Sequence, residues 1–309
     1  MLRRGASAMF GAVVVLAITG ASAAVASAAG PYTCSGKLRA PGVLKGTYPN
    51  GVVAKGVCAV KSGKAHVIGT LTVTKGAVLG AAFGRHHSSL TVTGNLVVER
   101  GGVVFLGCKA NPDGTGFPCI DEPSMKHPTL TSHEVVSGNI VEHSPLGVIV
   151  HNSSIGGNIK ETGGGGGLGC TPPKRGVFGA IMSPVFSDYE DSSVGGNLAI
   201  SGMHSCWLGV ARVKIRHNLT ITNNVMGDPD AIEVVTNHIS KNLSCSGNSH
   251  PGGGPPGAGA LPIWDSVDTS PNGLYPRASK PNTVDGTRSG QCVTASPTTM
   301  GGPPAAPAF

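Results

Sequence analysis

The chain has 309 residues, of which 13% are charged and 4% aromatic, with 48 Gly, 23 Pro, 8 Cys and a formal charge of +7. In a helix each Gly costs about 1 kcal/mol and each Pro about 3, so this composition argues against a helical protein, and the shortage of rings disfavours nucleic acid, which leaves little to stack bases on. A pI near 9.1 serves ordinary solubility and also favours acidic partners, with anionic polysaccharide or a cell-envelope polymer as the expected class.

The chain opens Met1-Leu2-Arg3-Arg4, runs apolar from Met9 to Ile18 and continues in small residues through Ala26-Ser27-Ala28. A charged start, a short apolar core and a small-residue cleavage signature predict a secretory signal peptide over 1–28. Its core is too short for a good spanning helix, and no Cys stands at the cleavage point. The expectation is a secreted or cell-surface protein with no stable membrane insertion, and loss of Arg3 and Arg4 takes its charge from +7 to +5. All eight Cys lie in the exported part, an even number that reads as disulfides. There is no Cys-x-x-Cys, so no metal centre and no cofactor is expected.

Residues 30–66 read as an N-terminal cap, turn-rich and closed by Cys34–Cys58, a crosslink worth about 3 kcal/mol for a loop of this length. A repeat then fills 67–248. Its anchors are Asn95, Asn139, Asn158, Asn197, Asn218 and Asn242, with Thr70 as a weaker first member. Successive intervals are 25, 44, 19, 39, 21 and 24 residues. The two long ones are nearly double the rest and predict a degenerate coil hidden in each. Three residues before the anchor stand Val67, Val92, Val136, Ile155, Val194, Ile215 and Ile239; one after it stand Leu71, Leu96, Ile140, Ile159, Leu198, Leu219 and Leu243. The column three after it reads Val73, Val98, Glu142, Glu161, Ile200, Ile221 and Cys245.

Positions +1 and +3 share one face of a strand, and the Gly-Asn pair before them reads as a bend whose residues tolerate left-handed backbone. Val148 and Val150, Leu208 and Val210, and Ile232 and Val234 mark a further strand before each anchor. Three short strands per period predict a parallel β-helix, about eight coils long and about 40 Å in length, with an inner aliphatic ladder and the Asn side chains bonding along the axis. Insertions fall at 107–128 and 163–175. Cys108–Cys119 and Cys170–Cys206 are the expected bridges there, although the pairing among these four stays open from sequence. Residues 249–279 form a Pro/Gly-rich insertion, 280–294 a final half-coil tied by Cys245–Cys292, and 295–309 a disordered tail.

Val194-Gly195-Gly196-Asn197-Leu198, the run from Asn242 to Asn248, and Asn282-Thr283-Val284 with Gly290-Gln291-Cys292 together resemble exported actinobacterial right-handed parallel β-helix repeat proteins of unassigned function. The resemblance spans about residues 32–292 and implies a right-handed solenoid. It implies no catalytic residues.

The first functional reading is therefore a non-catalytic exported β-solenoid with a structural, adhesive or envelope-associated role. An alternative is a polysaccharide lyase or glycoside hydrolase working along an external groove, with Asp188, Asp191, Arg212 and Asp230 as candidate catalytic residues, because such enzymes need carboxylates facing one sugar linkage. The column alignment puts Asp188 and Glu233 two coils apart, wide for such a pair, and reads Asp191 with Arg212 as an exposed ion pair. A second alternative is an anionic-polymer binding module. Arg212, Lys214 and Arg216 alternate with Val213 and Ile215 and are expected to share one outer face. The many His residues, His133, His143 and His151 among them, show no metal-ligand spacing, and no convergent titratable cluster is expected.

Overall fold

The aliphatic columns of the repeat become the lumen of a parallel β-helix. The computed structural model describes residues 30–81, 88–107, 133–228, 232–251, 263–264 (backbone only) and 281–293. The signal peptide expected over 1–28, the bridge expected between Cys108 and Cys119, Asp230, most of 249–279 and the tail 295–309 lie outside the described residues.

Three sheets wrap the axis. The first has ten strands, running from Tyr32–Cys34 through Leu198–Ser201 to Arg288–Gly290. The second has nine, from Gly42–Val43 through Trp207–Ala211 to Ile263–Trp264, and the third nine, from Gly46–Tyr48 through Ser193–Val194 to Thr283–Val284. Neighbouring strands within each sheet come from successive coils and pair in parallel. Val67, Val92, Val136, Ile155, Val194, Ile215 and Ile239 stack directly on one another in the third sheet. Leu71, Leu96, Ile140, Ile159, Leu198, Leu219 and Leu243 do the same in the first. Both columns are buried, and each such side chain removed from water contributes roughly 1.5–3 kcal/mol.

The long intervals hold no hidden coil. Leu96 pairs with Ile140 and Ile159 with Leu198, so each interval is one coil carrying an insertion. An inserted loop leaves the ladder without adding a rung, and interval length therefore overcounts coils there. Residues 30–66 contribute two coils of their own, because Tyr32–Cys34, Gly42–Val43 and Gly46–Tyr48 pair in register with Val52–Ala54, Val57–Ala59 and Lys64–Val67. At the other end Ile263–Trp264, Thr283–Val284 and Arg288–Gly290 supply one strand to each sheet, a full turn where a half-coil is expected. The one described helix is the five-residue Gly176–Ala180, just past the bounds expected for the second insertion, which runs on to Phe186–Glu190.

The corner asparagines form a continuous ladder. Asn197 donates from its backbone N–H and its Nδ2 to Asn158 Oδ1, at 2.8 and 3.0 Å, and its own Oδ1 accepts from Asn218 N and Nδ2 at 3.1 and 2.8 Å. The same exchange links Asn95, Asn139 and Asn158, and Asn242 passes it to Thr287. The glycine before the anchor serves the ladder through space. A Cβ on Gly196 would stand 2.4 Å from Asn158 Oδ1, and one on Gly157 2.5 Å from Asn139 Oδ1. Neither glycine has positive φ, so the left-handed backbone expected of the Gly-Asn pair is not what selects Gly at these two rungs.

Two shorter ladders occupy the other corners near the C-terminal end. Asn224 bonds Asn248 and Asn248 bonds Gln291, and Asn237 bonds Asn282. Three disulfides are formed, Cys34–Cys58, Cys170–Cys206 and Cys245–Cys292, as expected of a chain in an oxidising compartment. Among the described residues no helix is long and apolar enough to cross a membrane.

Asn197→Ala strips hydrogen bonds from both neighbouring rungs. It is expected to cost about 2 kcal/mol in chemical denaturation, whereas Lys160→Ala, on an exposed position of the first sheet, should change stability by less than about 0.5 kcal/mol.

Candidate functional site

The second sheet departs from the one-face-buried rule. Gly147–His151, Phe186–Glu190, Trp207–Ala211 and Ile232–Val235 are buried at every position. Val148, Val150, Ser187, Tyr189, Leu208 and Val210 alternate into the lumen, so their neighbours lie under cover on the outer face. The insertion after Ile159–Thr162 supplies part of that cover. Phe178 of its short helix packs over Gly147, where a Cβ would meet the ring at 2.6 Å. From there Phe105, Phe178, Phe186 and Trp207 run as a chain of tilted or edge-on rings with centroids 5.8–5.9 Å apart. Cys170–Cys206 pins the insertion to the following coil.

Beside this aromatic chain the same outer face carries a polar cluster. His151 Nε2 lies 2.9 Å from Asp188 Oδ2, and His151 Nδ1 lies 3.8 Å from Glu190 Oε2. Arg212 donates through Nη2 to Glu190 Oε2 at 2.5 Å and through Nε and Nη2 to Asp191 Oδ1 and Oδ2 at 2.7 and 2.9 Å. These five residues are between 1% and 7% exposed. Register explains the convergence. His151 pairs with Glu190 and Glu190 with Ala211, so successive coils bring residues 151, 190 and 212 together. Asp191 and Arg212 turn the corner in left-handed backbone, with φ of 46° and 56°.

These positions correct three expectations. Asp191 and Arg212 are a buried pair, because the outward face of this sheet is covered. Arg212 therefore does not share a face with Lys214 and Arg216, which are exposed. A titratable cluster does converge, and it includes His151, which its spacing in the chain does not single out. Asp188 and Glu233 stand in one column with Gly209 between them, two coils apart as aligned. A His, an Asp and a Glu this close could serve acid–base chemistry, but here they are buried and Glu190 is held by Arg212. The nearest donor atoms of His151, Asp188 and Glu190 lie within 4.8 Å of one another and could hold a metal ion; Arg212 already supplies a cation to Glu190.

A second buried cluster lies inside the solenoid. Glu142 and Glu161 pair across adjacent coils of the first sheet and are fully buried. Tyr189 Oη lies 2.7 Å from Glu142 Oε2 and 2.8 Å from Glu161 Oε2, and Ser187 donates to Glu161 Oε1 at 2.8 Å. A phenol has one proton, so it donates to one carboxyl and accepts from the other, and one carboxyl is protonated. Glu142 Oε1 has no hydrogen-bond partner, which assigns the proton to Glu142. Burial and the neighbouring Glu161 charge hold the Glu142 carboxyl well above the usual carboxylate range. Burial raises Glu161 to about 7 against the hydrogen bonds from Tyr189 and Ser187. In the third sheet burial raises Glu134 to about 8, opposed by backbone N–H groups of Leu90 and Gly107. Glu142 and Glu161 sit in the inner column of the repeat, so the column itself is the signal that marks them.

The chain matches no protein-family model, and no curated protein or solved structure is detectably similar to it.

Arg212→Met would leave Glu190 and Asp191 buried without their cation and is expected to cost about 3–5 kcal/mol, read by denaturant titration. The lumen carboxyls give a pH dependence of known sign. Their folded pKa values lie above the unfolded value near 4.5, so their full stability is present below that value and is lost as pH rises through about 7,. The melting temperature should therefore fall between pH 5 and pH 8. In Glu142→Gln, whose amide still donates to Tyr189, the fall should be shallower.

Proposed function

We propose that the protein is an exported, non-catalytic β-solenoid that associates with an anionic polymer of the cell envelope. The observation that carries this reading is the contrast between its faces. Of the candidate residues for a polysaccharide-cleaving site, the described ones, Asp188, Asp191 and Arg212, are buried on the outer side of the second sheet, Asp188 against His151 and Asp191 against Arg212. The first and third sheets instead present outward columns in which hydroxyl-bearing and small side chains alternate with Val97, Val141 and Val135 and with the cations Lys160 and Lys214. Thr72, Ala199, Thr220 and Ser244 illustrate the first sheet, and Thr91, Ser154 and Ser193 the third. Lys160, Lys214, Arg216 and Lys241 stand exposed on or beside these faces and supply charge for an acidic polymer. The disulfides support export,, and the signal peptide expected from the sequence over 1–28 would direct it.

A panel of neutral and acidic polysaccharides and isolated wall polymer tests this. Sedimentation should show salt-sensitive binding to acidic polymers, weakened in a Lys214→Glu/Arg216→Glu double variant. No new reducing or unsaturated ends should appear. Release of such ends, abolished by Asp188→Asn in a protein that stays folded, would establish the lyase or hydrolase reading instead.

A further inference from the structure

Among the described residues the outer face of the second sheet is covered only in part. The insertion that packs Phe178 over Gly147 and against Phe105 and Phe186 reaches toward the N-terminal end as far as Val177 and Phe178. Beyond them a cavity of about 560 Å³ lies over the first coils, within the range of small-molecule sites. Its origin is one column of side chains. Val43, Ala59, Gly80 and Phe105 stand in register on successive coils, and the column shrinks to a methyl group and then to nothing before Phe105 restores the wall. Leu38 and Pro41 contribute to the same lining, and Val57 and Val78 add a second apolar column. Lys61 is the charged residue of the lining.

The segment that supplies most of the lining carries charge of one sign. Residues 30–81 contain Lys37, Arg39, Lys45, Lys55, Lys61, Lys64 and Lys75 and no Asp or Glu, and all of these cations are exposed. Lys37 and Arg39 flank Leu38 at the lining. An apolar slot with cations at its edge fits a molecule that is apolar along its length and anionic at one end, since the tail gains from leaving water and the head from the positive field. We infer that the groove over Ala59 and Gly80 binds one long-chain fatty carboxylate, its chain against Phe105 and Val177 and its carboxylate beside Lys61. This site is separate from the polymer-binding faces proposed above and does not depend on them.

The test uses the folded, oxidised protein and myristate below its micelle concentration, followed by titration calorimetry. A Cβ on Gly80 would meet nothing within 4 Å except the Cys58 carbonyl at 3.9 Å, so Gly80→Leu projects into the groove without displacing the sheet. Myristate should bind the wild type one to one. In Gly80→Leu and in Lys61→Glu the affinity should fall about tenfold or more, equivalent to about 1.4 kcal/mol. A cationic amphiphile of equal chain length should bind more weakly than myristate. Ala59→Leu fills the adjoining rung and replaces Gly80→Leu if that variant fails to melt cooperatively. The inference is overturned if the wild type takes up no myristate, if the filled variants bind it as well as the wild type, or if the cationic amphiphile binds equally. It is also overturned if phosphatidylglycerol vesicles bind wild type and Gly80→Leu alike while free myristate does not bind, since that would report attraction to a membrane surface.

Discussion

Each coil of this protein leaves hydrogen bonds that only the next coil can make. The corner carboxamides state the constraint most clearly: Asn197 Oδ1 accepts from the rung above, while its N–H groups donate to the rung below. Backbone pairing in three sheets follows the same direction. Stability in such an array comes from interfaces between neighbours, so side-chain identity is constrained by column more than by coil. This accounts for Gly at 157 and 196, where the carboxamide of the preceding rung fills the space a Cβ would need. It also accounts for how the ladder ends, with Asn242 handing its acceptor to Thr287 and Asn248 bonding Gln291.

A column can also be broken from within. Glu142 and Glu161 replace aliphatic residues at two adjacent rungs of the first sheet, and the lumen accommodates them because Tyr189 and Ser187 reach across from the second sheet. The result is a hydrogen-bonded plug with one fewer proton donor than two carboxylates would need, which holds Glu142 neutral. On the outer side of the same strand Asp188 and Glu190 face His151 and Arg212. One five-residue strand, Phe186–Glu190, thus connects two polar clusters on opposite faces of a single sheet, one built on a retained proton and one anchored by the Arg212 guanidinium.

The aliphatic ladders and the corner asparagines were legible because they recur at nearly constant spacing, and columns can be aligned without knowing the fold. The outer face of the second sheet was not. Alternation marks Arg212 as outward, and outward equals exposed only where nothing lies on the sheet. Part of the cover comes from an insertion whose Gly and Pro content reads as a surface loop. The count back from the anchors that aligns Asp188 with Glu233 also sets His151 beside Glu190, but nothing in the columns marks that face as covered, and His151 reads as one histidine among many. The two long intervals misled for the same reason, since an insertion and a missing coil lengthen the chain equally.

The crosslinks have a mechanical consequence. In a stack that unravels rung by rung, the terminal coils detach first, having a neighbour on one side only. Cys34–Cys58 joins the first coil to the second across the lumen, and Cys245–Cys292 ties the last strand of the first sheet to the rung beneath it. Tension applied at either end therefore meets covalent bonds before it meets a free interface. The load passes to the interior, where Cys170–Cys206 holds the insertion that follows Ile159–Thr162 to the next coil.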